Sequence, residues 1–172
     1  MNLAPKSPAA SAVENQNYQV FPNDLNHNGT VFGGLIMAHM DRLCGVVASR
    51  HAASVVVTAS VDAVHFVQPA RRGDILVINA TVNRAWHSSM EIGCKVEAEP
   101  AFGGTRRHIV TAYFTFVATD ADGKPQGVPP VKPETADEKQ RYAEADMRRQ
   151  SRLRDAEALK NFRNGDRVAA AR

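Results

Sequence analysis

The sequence predicts an α+β fold in which an antiparallel sheet wraps around one central helix, with a charged helix at the C-terminus. Residues 34–50 are apolar on almost every side of a helix, and such a helix is buried on all sides. Four strand-like segments follow with short connections, which favours antiparallel pairing: 55–66, 75–86, 89–99 and 109–118. Because a sheet needs its apolar face covered, we expect this apolar helix to cover it.

The segment 89–99 has the clearest strand pattern, because apolar and polar residues alternate along it almost without a break. One face carries Met90, Ile92, Cys94, Val96 and Ala98. The other face carries Ser89, Glu91, Gly93, Lys95, Glu97 and Glu99. This pattern predicts a strand with one apolar and one polar face.

The chain is predicted to form one domain with an extension at each end. Residues 1–13 are small, polar and proline-containing, which predicts a flexible N-terminus. The domain is expected over 14–131 and begins with a short strand at 18–21. Residues 132–172 predict a charged helical extension, which starts at a capping box and stops near Asn164-Gly165.

Charge and cysteine usage argue against several classes of protein. The net charge of +3 lies entirely in 132–172, where charges of both signs alternate as on a solvated helix, so we expect no nucleic-acid binding. Cys44 and Cys94 lie in apolar stretches, which predicts buried, reduced thiols and no metal site. No apolar run approaches the ~20 residues that span a bilayer, so we expect a cytoplasmic protein without membrane contact.

The segment from Asn23 to Asp41 combines three features that suit hydrolysis of an activated carbonyl. Gly33-Gly34 at a helix start leaves backbone N–H groups free, and these donors suit a developing oxyanion. Asp41 is a carboxylate in an apolar helix and can serve as a general base or as a nucleophile. Asn26 offers an amide that can orient a water molecule or a carbonyl group.

The spacing of these residues predicts a site shared between subunits. Gly33 and Asp41 are eight residues apart and therefore about 12 Å apart along one helix. A base and an oxyanion donor that serve one carbonyl need to lie about 6 Å apart. If both residues are catalytic, Gly33 of one subunit must act with Asp41 of another, which predicts an obligate dimer.

Each of these residues also has a purely structural interpretation. Gly33-Gly34 can simply accommodate the backbone at the helix start. Asp41 can pair with a neighbour such as Arg42 or His39. Asn26 lies in a loop rich in turn-forming residues and can be a turn or cap residue.

Taken together, the segment resembles the signature of the acyl-CoA thioester hydrolases of the hotdog superfamily, which include brain-type acyl-CoA hydrolases and their short bacterial relatives. The matching residues are Asn26, Gly29, Val31-Phe32-Gly33-Gly34 and Asp41. The resemblance extends over roughly 18–118. It implies a hotdog fold, a catalytic pair of Asn26 and Asp41 from different subunits, and a homodimer assembled into a hexamer. Many hotdog thioesterases have His where this chain has Phe32, which removes one candidate acid or base.

Binding of the coenzyme A moiety is assigned to two pairs of residues. Arg71 and Arg72 lie in a turn and suit anionic phosphates, although a solvated turn explains them equally well. Ser88 and Ser89 match positions where the family contacts coenzyme A, and a tight turn also accounts for them. Arg106-Arg107 is a weaker candidate of the same kind. No phosphate-binding glycine loop is present, and we expect no metal or redox cofactor.

The sequence therefore predicts an enzyme that hydrolyses acyl-CoA to free coenzyme A and a carboxylic acid. One alternative is a hotdog hydratase or dehydratase, but the sequence lacks the Asp/His or Glu/His pair of those sites. The other is a non-catalytic acyl-CoA binding or sensing module. Asn26 and Asp41 argue against it, because a binding protein needs no carboxylate in an apolar helix.

Overall fold

The computed structural model describes residues 3–169, with the side chains of 3–163. A five-stranded antiparallel sheet has the strand order β1-β3-β4-β5-β2. The elements are β1 (Val13–Gln19), α1 (Gly33–Ala52), β2 (Val55–Val61), β3 (Asp74–Ala85), β4 (Ser89–Pro100), β5 (Arg107–Thr119) and α2 (Ala136–Ala169). The prediction of a sheet wrapped around one helix, followed by a C-terminal helix, is confirmed.

The core lies between α1 and the inner face of the sheet. On α1, Met40, Cys44 and Val47 are fully buried, and the alternating residues of β4 from Met90 to Ala98 are buried opposite them. The helix ends where Ala53 adopts a left-handed conformation and its N–H donates to the Ser49 carbonyl. The prediction that this helix is buried on all sides is wrong for the single subunit, because Met37 and Val46 are 41% and 43% exposed.

Helix α2 covers the outer face of the sheet and binds it largely through charge. Glu91 belongs to the polar face of β4, yet its side chain is completely buried beneath Arg148 of α2. Arg84 of β3 pairs with Asp146 and packs over the Tyr142 ring. The helix continues beyond Asn164-Gly165, so the predicted stop is wrong.

Two strands differ in length from their predictions. β1 starts at Val13 rather than at residue 18, because its pairing with β3 reaches Ala80. β2 ends at Val61, although the Asp62 N–H still donates to the Tyr113 carbonyl. Beyond it, residues 63–70 run towards the N-terminal end of α1. The Val67 N–H donates to the Ile109 carbonyl of β5, and the Val31 N–H donates to the Ala70 carbonyl.

The predicted flexible N-terminus requires correction for residues 3–12, which pack against the body. The backbone of Lys6 pairs with residues on either side of Val131, and its ammonium group donates to the His51 carbonyl at 2.8 Å. Ser11 is buried next to the His51 ring. Residues 1–2 and 170–172, at the outer ends of the two predicted extensions, lie outside the described residues. In the described range, no helix is long and apolar enough to cross a membrane.

His51 should make the stability of the fold depend on pH. The ring is fully buried and bonds the Pro129 carbonyl through Nε2 at 2.9 Å, and burial lowers its pKa below the ordinary value. The unfolded chain therefore takes up the proton first as the pH falls, so stability is constant above the ordinary pKa and decreases below it. Thermal midpoints at about pH 7.5 and about pH 5.5 should differ more for the wild type than for His51→Gln. An equal difference in both proteins would contradict this assignment.

Candidate active site

Asn26 shapes the loop that precedes α1. Its side-chain oxygen accepts the Asn28 N–H at 2.9 Å, and its amide nitrogen donates to the Thr30 hydroxyl at 3.0 Å. Gly29 closes the turn with a positive φ of 72°, a conformation that glycine adopts without strain. Asn26 therefore acts as a turn residue within one subunit, as its purely structural interpretation predicts. One amide hydrogen of its two remains free for a further acceptor.

The N-terminus of α1 presents free donors to a groove. In the described part of the chain, the N–H groups of Gly33 and Gly34 donate to no acceptor, and Phe32 gives the helix no side-chain cap. A groove of about 290 Å³ lies beside Gly33, between the loop at Thr30 and the segment 66–70. A Cβ on Gly33 would lie 3.4 Å from the Phe66 ring, so glycine keeps this approach open. These donors and the helix dipole together favour an anionic oxygen in the groove.

Asp41 lies two turns further along α1, and its partner is a residue that the sequence analysis missed. The Thr58 hydroxyl of β2 donates to Asp41 Oδ1 at 2.8 Å. Among the described residues, no ion pair joins Asp41 to Arg42 or His39, the two partners that the structural interpretation named as examples. A threonine in a strand gives no sequence signal of such a role, because only the packing of β2 against α1 brings it to Asp41.

Within one subunit the predicted residues form two separate groups. Thr30 pairs with Arg71 in an isolated bridge, so the Asn26 loop, Gly33 and Arg71-Arg72 lie together at the start of β3. Ser89 begins β4 at the opposite end of this ladder, about 37 Å away along the 12 residues of β3. Asp41 lies towards that end, since its partner Thr58 is in register with Met90 through Phe116.

The residues predicted to bind coenzyme A differ in whether their side chains already bind other residues of the protein. Arg71 and Arg72 are exposed beside the groove. The Ser89 hydroxyl instead lies on the outer face beneath α2, where Arg149 donates to it at 3.4 Å. Arg106 and Arg107 are engaged in ion pairs with Glu99 and Asp74. Arg71 and Arg72 are therefore the pair best placed to meet a phosphate near Gly33.

Two other titratable groups lie near Asp41, and one of them, the Cys44 thiol, is not suited to act as a nucleophile. His39 packs against the Tyr18 ring, and burial together with the charge of Arg42 lowers the pKa of His39, which keeps the imidazole neutral. Burial, with contributions from Cys94 and Asp41, raises the pKa of the Cys44 thiol far above its ordinary value. Cys44 therefore remains protonated and is a poor nucleophile.

Comparison with known proteins identifies the family. An uncharacterized acyl-CoA thioester hydrolase of Bacillus subtilis is 38% identical over 152 residues, which are 87% of this chain and 88% of that protein. The chain belongs to the acyl-CoA thioester hydrolases. Residues 28–101 match the model of the Thioesterase superfamily. The human cytosolic acyl coenzyme A thioester hydrolase is 38% identical over 73% of this chain, but the match spans only 33% of its own length.

Solved structures of such thioesterases have the same architecture. The crystal structure of an apo hexameric acyl-CoA thioesterase superposes with a TM-score of 0.86 at 36% identity, covering 90% of this chain and 98% of that one. An acyl-CoA hydrolase from Staphylococcus aureus, solved with butyryl coenzyme A, coenzyme A and coenzyme A disulfide, gives 0.82 at 39% identity, covering 91% and 97%. These similarities extend beyond the motif to nearly the whole chain.

The cysteines provide a test of this site chemistry. Both thiols are buried, so a thiol reagent such as iodoacetamide should label neither residue in the native protein within minutes at about pH 8. In denaturant, both Cys44 and Cys94 should react. Mass spectrometry counts the labels. Rapid native labelling that also abolishes thioester cleavage would contradict the exclusion of Cys44 as a nucleophile.

Proposed function

We propose that the protein hydrolyses acyl-CoA thioesters at sites shared between two subunits. The observation that carries the proposal is the division of the predicted residues into two half-sites. One half-site has free N–H donors at Gly33 and Gly34 beside a groove, and the other has Asp41 held by Thr58. About 12 Å of helix separates them in one subunit, so a partner subunit must complete each site.

The proposed reaction uses water as its only co-reactant. The N–H groups of Gly33 and Gly34 bind the thioester carbonyl oxygen, and Asp41 of the partner subunit takes a proton from water as the resulting hydroxide adds to the carbonyl carbon. The free amide hydrogen of Asn26 orients the water. When the C–S bond breaks, the proton on Asp41 passes to the coenzyme A sulfur, which regenerates the carboxylate. Direct attack by Asp41, giving an anhydride that water then cleaves, is the alternative with the same residues.

Variants of the S. aureus enzyme support the choice of residues. Its structures include replacements of an asparagine, an aspartate and a threonine by alanine, at positions separated by 15 and 17 residues. Asn26, Asp41 and Thr58 have the same two spacings in this chain. That match adds Thr58 to the residues predicted from the sequence.

The surface around Asp41 favours a homodimer. β2 is an edge strand, so its outer side has unpaired backbone groups, and Val55, Val57 and Val61 are exposed along it. Met37 and Val46 of α1 are exposed as well. Pairing with a second copy would remove this apolar edge from water and bring a second α1 to the first. The relatives described as hexameric support a hexamer built from three such dimers.

The remaining assignments follow from this site. Arg71 and Arg72 bind the phosphates of coenzyme A, and Ser88 is retained as a contact from the second half-site. Ser89 is not retained, because Arg149 of α2 donates to its hydroxyl on the outer face of the sheet. The chemistry needs no metal or redox cofactor. The location is cytoplasmic, which the cytosolic name of the human relative supports. A binding module does not explain why the Asp41 carboxylate, which has no ion-pair partner among the described residues, is oriented by the Thr58 hydroxyl.

Loss of Asp41 should abolish turnover. Asp41→Ala and the near-isosteric Asp41→Asn should both lower kcat for release of coenzyme A at least about 100-fold, because each removes the base. Thiol release is measured across short to long acyl-CoAs, with circular dichroism and light scattering to confirm unchanged fold and assembly. An Asp41→Asn protein that keeps its wild-type rate would exclude both proposed roles of Asp41. A wild type that turns over none of the substrates would point to the binding module.

Mixed dimers should show that the site is shared. Asn26→Ala and Asp41→Ala subunits are each expected to be nearly inactive alone. Co-expressed with different tags and mixed at random, they should recover about a quarter of wild-type activity, because half of the dimers then contain one intact site of two. Sites within single subunits would give no more activity than the average of the two parent variants.

A further inference from the structure

We propose that Asp62 and Arg152 are positioning residues for this reaction, since their ion pair fixes the part of β2 that directs Thr58 towards Asp41. The sequence predicts the C-terminal helix only as a charged, solvated extension. The structure instead connects α2 to the catalytic carboxylate through one strand. The inference rests on the proposed function, because the direction of Thr58 matters only if Asp41 acts on the thioester.

The connection begins in a charged cluster beneath α2. Arg152 donates to both oxygens of Asp62, at 2.9 and 2.6 Å, and to Glu91 at 3.3 Å. Arg148 binds the same Glu91 at 2.7 Å and lies 3.6 Å above the Tyr113 ring. Glu91 is fully buried, so this cluster is held firmly against the sheet. Within it, Asp62 is the member that belongs to the end of β2.

A bulge in β2 gives Asp62 and Thr58 opposite directions. Thr58 is in register with Phe116 and Ser60 with Thr115, so two residues of β2 occupy the space of one residue on β5. In a regular strand, residues 58 and 62 would lie on the same face. With the bulge, Thr58 lies on the inner face with Asp41, whereas Asp62 lies on the outer face with Arg152.

The bulge therefore needs restraint on its C-terminal side. Among the described strands, β2 is an edge strand paired only with β5, and its regular pairing ends at Val61. Beyond Val61, the Asp62 N–H donates to the Tyr113 carbonyl and the Val67 N–H to the Ile109 carbonyl, both of β5. Without the Asp62–Arg152 pair, the bulge can relax or migrate, because most of β2 is exposed and a strand without a buried face specifies its register weakly. Thr58 would then turn away from Asp41, and the carboxylate would lose the donor that orients it.

The test compares matched acidic residues that both bind α2 to the sheet. Asp62→Ala removes the pair with Arg152 at 2.6 Å, and Asp146→Ala removes the pair between Arg84 and α2 at 3.3 Å, which does not touch β2. Steady-state acyl-CoA hydrolysis by the full-length protein should show kcat lowered about tenfold by Asp62→Ala, with KM changed less than about twofold. Asp146→Ala should keep kcat within about twofold of the wild type.

Combination with Thr58→Val separates positioning from general destabilisation. If Asp62 acts through Thr58, Asp62→Ala should lower kcat no further in the Thr58→Val protein. The proposal would be overturned if the two substitutions together lowered kcat by the product of their separate effects. It would also be overturned if Asp62→Ala and Asp146→Ala lowered kcat equally. Thermal midpoints and assembly are measured for every variant.

Amide hydrogen exchange distinguishes failure of this proposal from failure of the proposed function. Asp62→Ala, but not Asp146→Ala, should speed exchange at residues 56–61, whether or not the protein cleaves thioesters. Unchanged exchange there overturns the inference even in an active enzyme. If the wild type releases no coenzyme A, the proposed function fails, and the positioning role fails with it.

Discussion

Burial of α1 is the constraint from which the rest of the structure follows. One side of the helix packs into the curved sheet, where Met40, Cys44 and Val47 are removed from water, while Met37 and Val46 stay exposed in the single subunit. Because the helix has a fixed rise per residue, the distances between the groups along it are fixed. The free donors at Gly33 and the carboxylate of Asp41 are consequently held about 12 Å apart and cannot approach each other. This rigidity is the reason why the site divides between subunits.

The second face of the sheet is stabilised in a different way. α2 packs there with only a weak apolar stripe, and Arg148 and Arg152 converge on the buried Glu91. Breaking one partner of a buried ion pair typically costs about 3–5 kcal/mol, because the remaining charge stays buried without compensation. The cluster therefore specifies where α2 lies more than it adds net stability. Because the position of α2 is specified in this way, its Arg152 also holds Asp62, the residue that follows β2, in one position.

The sequence predicted the parts of this protein that depend on local pattern. The alternation along β4, the apolar character of α1 and the glycines at its start are visible in the sequence and recur in the structure. The ion pair between Arg152 and Asp62 spans 90 residues, and no local pattern reports such a contact. Arg148 and Arg152 are spaced i, i+4 on one helix face, and this spacing was the only available sign that the helix binds an acidic partner.

The site residues show the same limit. Asn26, Gly33 and Asp41 could be proposed from sequence because they lie within one short segment that the family signature covers. Thr58 could not, since its role depends on the packing of β2 against α1, which brings its hydroxyl to Asp41. The predicted flexible N-terminus was wrong for a related reason. Its small residues gave no sign that Lys6 would reach the His51 carbonyl at the end of α1.

Association links folding to function in this architecture. A single subunit leaves Val57 and Val61 of β2 and Met37 of α1 exposed, next to the strand and helix that carry Thr58 and Asp41. In the proposed dimer, one contact covers this apolar surface and brings the donors of Gly33 to the partner's carboxylate. Binding of a second copy stabilises each subunit by mass action as it completes the site. A dissociated subunit would thus lose hydrophobic burial and catalytic geometry together, because both depend on the same edge strand.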